Sequence, residues 1–177
     1  MFVSIHLPKC AGKSLQFSLK GAFGQKLYLD YGDKILDQRP ATKKLRADRT
    51  QKVWAAIAAK RFDFEIVHGH FYASKYVGKL KGAKWMTVVR DPFNLLPSYY
   101  DYLRRAEHSS LLTQTARDCE SLLDFICNPL FHNIQTKLIS PLTASDFHFI
   151  GLQEHFDLTT KCLSVIYERT CNRTVKT

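Results

Sequence analysis

No apolar run in this chain of 177 residues approaches the length of a membrane span, and the first residues already read as a strand rather than a leader. We therefore expect neither a signal peptide nor an anchor, and a cytoplasmic setting. No Cys-x-x-Cys pair occurs. The five cysteines (Cys10, Cys119, Cys127, Cys162, Cys171) are scattered and odd in number, which argues against a zinc site and against a complete disulfide set. Internal repeats and low-complexity linkers are missing too, so the chain reads as a single domain over residues 1–177. Acidic residues are outnumbered, 16 against 26 Lys and Arg, for a net charge of +10. That balance favours an anionic partner: a phosphorylated cofactor, an acidic glycan, a lipid headgroup or nucleic acid.

What is present argues for a packed fold. Hydrophobic residues make up 45% of the chain, with twelve Phe and eight Tyr, which excludes disorder as the dominant state. Much of the positive charge falls between Lys43 and Arg61 and reads as a solvated helix face. Asn172-Arg173-Thr174 matches a glycosylation sequon, a short pattern that matters only after secretion.

Strand and helix signals alternate along the whole chain. Phe2–Leu7 reads as a strand ended by Pro8, followed by a helix from Gly12 or Lys13 to about Ala22. Lys26–Tyr31 reads as a short strand, and Arg39-Pro40 with the charged run behind it as a surface loop. A helix is expected over Thr50–Arg61, a strand over Phe64–His68 and a brief helix around Ser74–Leu80. Lys84–Arg90 is the clearest buried strand, and Asp91-Pro92 is a helix start signal. Pro97 should kink the helix behind it or delay its start. Ser109–Thr115 reads as a mobile loop, Glu120–Asn128 as a helix ended by Pro129, Phe147–Leu152 as a strand and His155–Arg169 as a last helix. Such alternation implies α/β architecture, with a mostly parallel central sheet and helices on both faces. Ligands in such folds bind beyond the carboxyl ends of the strands, here just after residues 7, 68 and 89.

Two of those places carry phosphate chemistry. In Pro8-Lys9-Cys10-Ala11-Gly12-Lys13-Ser14, the last three residues end a Walker A motif, but Leu7 stands where its opening glycine belongs. A strand, this turn and a helix would aim backbone N–H groups and the helix dipole at an anion. An ordinary strand-to-helix turn with two exposed lysines fits the segment equally well. The second place is Val88-Val89-Arg90-Asp91-Pro92, with Ser98 on the returning helix. There Arg90 and Ser98 can hold a second phosphate. No later strand ends in a Walker B acid that would hold magnesium. Two phosphate cradles without a metal aspartate suit a nucleotide with separated phosphates better than a triphosphate.

These segments resemble the sulfotransferases that use 3′-phosphoadenosine 5′-phosphosulfate (PAPS). "PKCAGKSL" is similar to their 5′-phosphosulfate loop, and "VVRDPFNLLPSYYDYL" to their 3′-phosphate site. "HGHF", His68–Phe71, resembles a segment of the heparan sulfate and uronyl 2-O-sulfotransferase group, and "HNIQTKLIS" and "HFIGLQEHFDLTTKCLSVIYE" resemble the later segments. The resemblance implies a three-layer, P-loop-like sulfotransferase fold. It also implies an enzyme that moves a sulfuryl group from PAPS to a hydroxyl, a carbohydrate's by subgroup, leaving 3′,5′-adenosine diphosphate (PAP). The implied cofactor residues are Lys9, Ala11, Gly12, Lys13, Ser14, Leu15, Arg90 and Ser98. Lys9 is implied at the leaving oxygen, His70 as general base and His68 as its helper or substitute. Asn133, Gln135 and Thr136 are implied to help hold cofactor or substrate. The implied partners are PAPS and a glycan acceptor, with no metal and no nucleic acid. Larger relatives continue beyond the last helix, so the resemblance implies a minimal or C-terminally shortened member.

Other residues carry blander expectations. His68 and His70 lie on one side of a strand and could pair on a metal, but no third ligand is evident. His6, His108, His132, His148 and His155 read as structural or exposed, and Trp54 and Trp85 as core. Cys10, near a helix N-terminus, is expected to have a lowered pKa and to be oxidation-sensitive rather than catalytic. Two other functions stay open. One is a small ATP-using kinase, with Asp91 as its single candidate metal ligand; the other is a non-catalytic binder of polyanions or nucleic acid.

Overall fold

The computed structural model describes residues 1–171, so the sequon at Asn172 lies outside the described residues. Five strands, β1 (Phe2–Ile5), β2 (Leu27–Asp30), β3 (Ile66–Gly69), β4 (Lys84–Val89) and β5 (Phe147–Leu152), form one sheet in the order β2-β3-β1-β4-β5. Every pairing is parallel. Among the described residues seven α-helices connect and cover it: α1 (Gly12–Phe23), α2 (Pro40–Ala58), α3 (Pro92–Arg105), α4 (Leu111–Asp118), α5 (Leu122–Cys127), α6 (Ile134–Ile139) and α7 (Phe156–Cys171). The expected α/β architecture with a parallel sheet is the one found.

Burial on both sides explains the apolar strands. Every residue of β1 and of β3 is buried, as parallel strands covered by helices must be. On one side Phe2 meets Tyr167 of α7 edge-on, and Tyr167 in turn meets Phe23 of α1. On the other side Asp30 binds the Lys75 ammonium and the Arg49 guanidinium of α2. The α2 indole of Trp54 also donates to the Lys75 carbonyl at 2.7 Å. Asp30 pairs in register with Gly69, where a Cβ would come within 1.9 Å of the Asp30 carbonyl oxygen. Trp85 is buried in the core, as expected.

Several elements depart from the sequence reading. The run after Arg39 is not a surface loop: α2 starts at Pro40, with proline pre-set for a first helical turn, and continues through Thr50 to Ala58. Ser109–Thr115 is not a mobile loop either. Ser110 accepts from the Thr113 N–H while the Thr113 hydroxyl accepts from the Ser110 N–H, a reciprocal cap that opens α4. The brief helix expected around Ser74–Leu80 is a single 3₁₀ turn, Ala73–Lys75. Pro97 neither delays nor ends α3, which runs from Pro92 through it to Arg105. No helix among the described residues is long and apolar enough to cross a membrane.

Candidate active site

Beyond the carboxyl ends of β1 to β4 lies a cavity of about 670 Å³, within the usual size of a small-ligand site. Its walls are the turn before α1, the loop from Tyr31 to Arg39, the strand ends at His6, His70 and Arg90, α3 with the start of α4, and Gln153. Of the residues expected at a site, Lys9, Ala11, Gly12, Lys13, Ser14, His70, Arg90 and Ser98 all line it. Leu15 and His68 do not.

The turn before α1 has the geometry of an anion nest. Lys9 and Ala11 both adopt left-handed backbone conformations, φ 61° and 56°, which L-residues avoid unless surroundings hold them there. Turns of this kind can aim N–H groups at an anion, although here the Cys10 N–H is spent on the Leu7 carbonyl at 3.3 Å. Ala11 is the N-cap of α1 without a side-chain cap, and the first turn contains no acid, so no side chain of that turn offsets the positive end of the helix beside the cavity. Gly12 is required for a reason other than ligand approach: a Cβ there would fall 1.8 Å from the His6 ring. Leu15 is core, and its N–H donates to the Ala11 carbonyl at 3.1 Å. The Lys9 ammonium sits 4.9 Å from the Tyr102 ring centroid, and burial followed by Arg90, Arg105 and Lys13 lowers its pKa.

Arg90 crosses from β4 to this turn. Its Nη1 donates to the Lys9 carbonyl at 3.2 Å. Its Nε is buried with no hydrogen-bond partner among the described residues, and the nearest carboxylate, Glu154, is 4.0 Å away. A half-buried guanidinium whose buried Nε has no hydrogen-bond partner, beside a cationic turn, is suited to an anion. Asp91 is spent elsewhere: its carboxylate accepts from the Phe93 N–H and the Asn94 amide, capping α3. No group of three or more His, Cys, Asp or Glu among the described residues is placed to hold a metal.

The histidines occupy the floor. His70 Nδ1 donates to the His6 carbonyl at 2.6 Å, which leaves Nε2 with the lone pair. Burial lowers the His70 pKa against the smaller upward pull of that bond. His6 stacks on His70 with ring centroids 4.0 Å apart and shares a 2.9 Å hydrogen bond with the Tyr31 hydroxyl. Burial, then His70, His68 and Lys13, lower the His6 pKa to about 2. His68 is wholly buried, bonded to Ser4 Oγ at 2.9 Å, with burial holding its pKa at about 3. It supports the floor from beneath rather than facing the cavity, which removes the basis for a helper role at a substrate hydroxyl.

Cys10 departs from expectation. It is buried behind the turn, and burial pushes its thiol up to about 12, so proximity to a helix start does not activate it. Asn133 is the left-handed N-cap of α6, and Gln135 bonds the Arg90 backbone; neither lines the cavity.

Sequence reasoning missed His6 and the loop after β2. His6 follows β1 by one residue, as His70 follows β3, and the two strands pair Ile5 with Gly69. Treating all parallel strand ends together would have exposed both. Tyr31, Lys34, Asp37 and Arg39 line the cavity for the same reason. Asp37 is held by Arg39, which lowers its pKa to about 2, and by the Thr42 hydroxyl.

No family model matches this sequence, and no curated protein matches it. Solved structures with a similar fold include a mouse sulfotransferase, SULT7A1, complexed with PAP (TM-score 0.46, 13% identity, 94% of this chain and 57% of that one). Another is the sulfotransferase domain from the curacin biosynthetic pathway (TM-score 0.41, 16% identity, 96% of this chain and 71% of that one). This chain thus spans 57% of the length of the mouse protein.

Proposed function

We propose that this chain binds PAPS in the cavity and transfers its sulfuryl group to a hydroxyl. One arrangement carries the reading. An uncapped, left-handed turn with Lys9 and Lys13, a second anion cradle at Arg90 and Ser98, and a histidine with a free Nε2 all face one space. The N–H groups of the α1 first turn, with Lys9 and Lys13, would hold the 5′-phosphosulfate end, and Arg90 and Ser98 the 3′-phosphate. The bound donor supplies the sulfuryl group. The chain contributes preorganised positive charge where the leaving phosphate gains charge, a base, and alignment of the two reactants. His70 Nε2 takes the acceptor's hydroxyl proton, because Nδ1 is already committed to the His6 carbonyl. Lys34 on the same wall, where Arg39 is balanced by Asp37, together with the net charge of +10, supports an acidic carbohydrate as acceptor.

Calorimetry with PAP and with ATP, each with and without magnesium, tests this. Magnesium-independent PAP binding that is lost in Arg90→Ala and in Lys13→Ala is expected. Binding of magnesium-ATP alone would overturn the reading in favour of a kinase.

A further inference from the structure

The two anion cradles are not independent, and a residue outside the cavity joins them. Gln135, on α6, meets the backbone of Arg90 from both sides. Its Oε1 accepts the Arg90 N–H at 3.0 Å and its Nε2 donates to the Arg90 carbonyl at 2.8 Å. A primary amide doing this imitates a neighbouring strand, and it does so one residue past β4, which ends at Val89. The same Oε1 lies 3.8 Å from the thiol of Cys10, which sits between the left-handed residues Lys9 and Ala11. Arg90 closes the ring by donating to the Lys9 carbonyl at 3.2 Å. The chain thus runs Cys10, Gln135, Arg90, Lys9, with both cradles hung from one side-chain amide.

We propose that Gln135 is a positioning residue that fixes Arg90 for the phosphate on the far side of the nucleotide from the reacting sulfate. The proposal rests on the cofactor assignment above. Without the two amide bonds, the Arg90 N–H and carbonyl lose their partners, and the guanidinium is held chiefly by its bond to the Lys9 carbonyl. Gln135 lines no part of the cavity, and its two short bonds to Arg90 outweigh the 3.8 Å contact with the Cys10 thiol, so its main effect travels through Arg90. It should therefore appear only with ligands that use Arg90.

The test compares PAP with adenosine 5′-monophosphate, which lacks the 3′-phosphate, by calorimetry on the whole chain. Gln135→Met keeps length and packing while removing both hydrogen bonds, and Gln135→Glu keeps the acceptor but loses the donor. We expect about tenfold weaker PAP binding in Gln135→Met, the scale of lost positioning hydrogen bonds, and less than about twofold for the monophosphate. Gln135→Glu should lie between wild type and Gln135→Met. In an Arg90→Ala background Gln135→Met should add almost nothing. Equal losses on both ligands, or losses that add to those of Arg90→Ala, would show that Gln135 serves the fold or the first turn and would overturn the proposal. Wild-type chain that binds the two ligands equally would instead refute the 3′-phosphate assignment itself, and this proposal with it. Melting temperatures of the variants separate misfolding from a local effect.

Discussion

His70 has one nitrogen to offer. With Nδ1 donating to the His6 carbonyl, any proton it accepts arrives at Nε2, and under the proposed role as base that proton is absent at the start of a turnover. Its pKa lies below the ordinary 6.5, so the neutral, competent form dominates at neutral pH. Turnover should rise with pH through a single step below 6.5 and then level off. His70→Asn should lower kcat by roughly a hundred- to ten-thousand-fold and abolish that step, with PAP affinity held. A rate that continued to climb well above that range would assign the base elsewhere. Gly12 answers to the same floor. Gly12→Ala places a methyl group 1.8 Å from the His6 ring, which must move from its stacked position on His70. We expect a loss of about 1–3 kcal/mol on denaturant unfolding, typical of overpacking.

At the scale of elements, the segment after β2 is held by charge rather than by secondary structure. Lys75, itself buried, binds Asp30 at 2.6 Å and Asp33 at 2.8 Å, and Arg49 reaches the same two carboxylates at 3.3 Å. The Tyr76 hydroxyl adds a third donor to Asp30 at 2.8 Å. Two acids and two bases leave the cluster neutral, and breaking it leaves a buried charge unmatched. Lys75→Met should cost about 3–5 kcal/mol in urea unfolding, whereas a loss under about 1 kcal/mol would show that water compensates for the missing ammonium. None of this cluster is legible locally, since its members are spread from Asp30 to Tyr76 and meet only where β2, α2 and the turn after β3 pack together. The start of α4 is hard to read locally, because its reciprocal cap uses Thr113 where the familiar Ser-x-x-Glu pattern has an acid or amide.

The whole molecule should respond to acid in two stages. His6 and His68 have folded pKa values of about 2 and about 3 against 6.5 unfolded, and His70 is lowered as well. Below 6.5 the unfolded chain therefore binds more protons than the folded one, and stability falls as pH falls. Each neutral buried histidine contributes a slope of up to about 1.4 kcal/mol per pH unit. Asp37, lowered from 3.8 to about 2, adds a second loss only below 3.8. Melting temperature should thus decline from about pH 6.5 downward, with the decline shallower in His68→Asn. A profile flat from neutrality to pH 4 would contradict the buried histidine floor.

Local information by itself determined the parallel α/β architecture, since strand and helix periodicities, Pro8 and the Asp91-Pro92 start are properties of short segments. It also marked Lys9 to Ser14, Arg90, Ser98 and His70, because each lies just past a strand or on the helix returning from one. Only the tertiary structure decided that β3 sits beside β1, and this adjacency stacks His6 on His70, aims its carbonyl at Nδ1 and sends His68 beneath the floor. It likewise decided that Gln135 meets Arg90 across 45 residues of chain. Strand order and long-range hydrogen bonds depend on how whole elements pack, and no window of sequence contains both partners of such a contact.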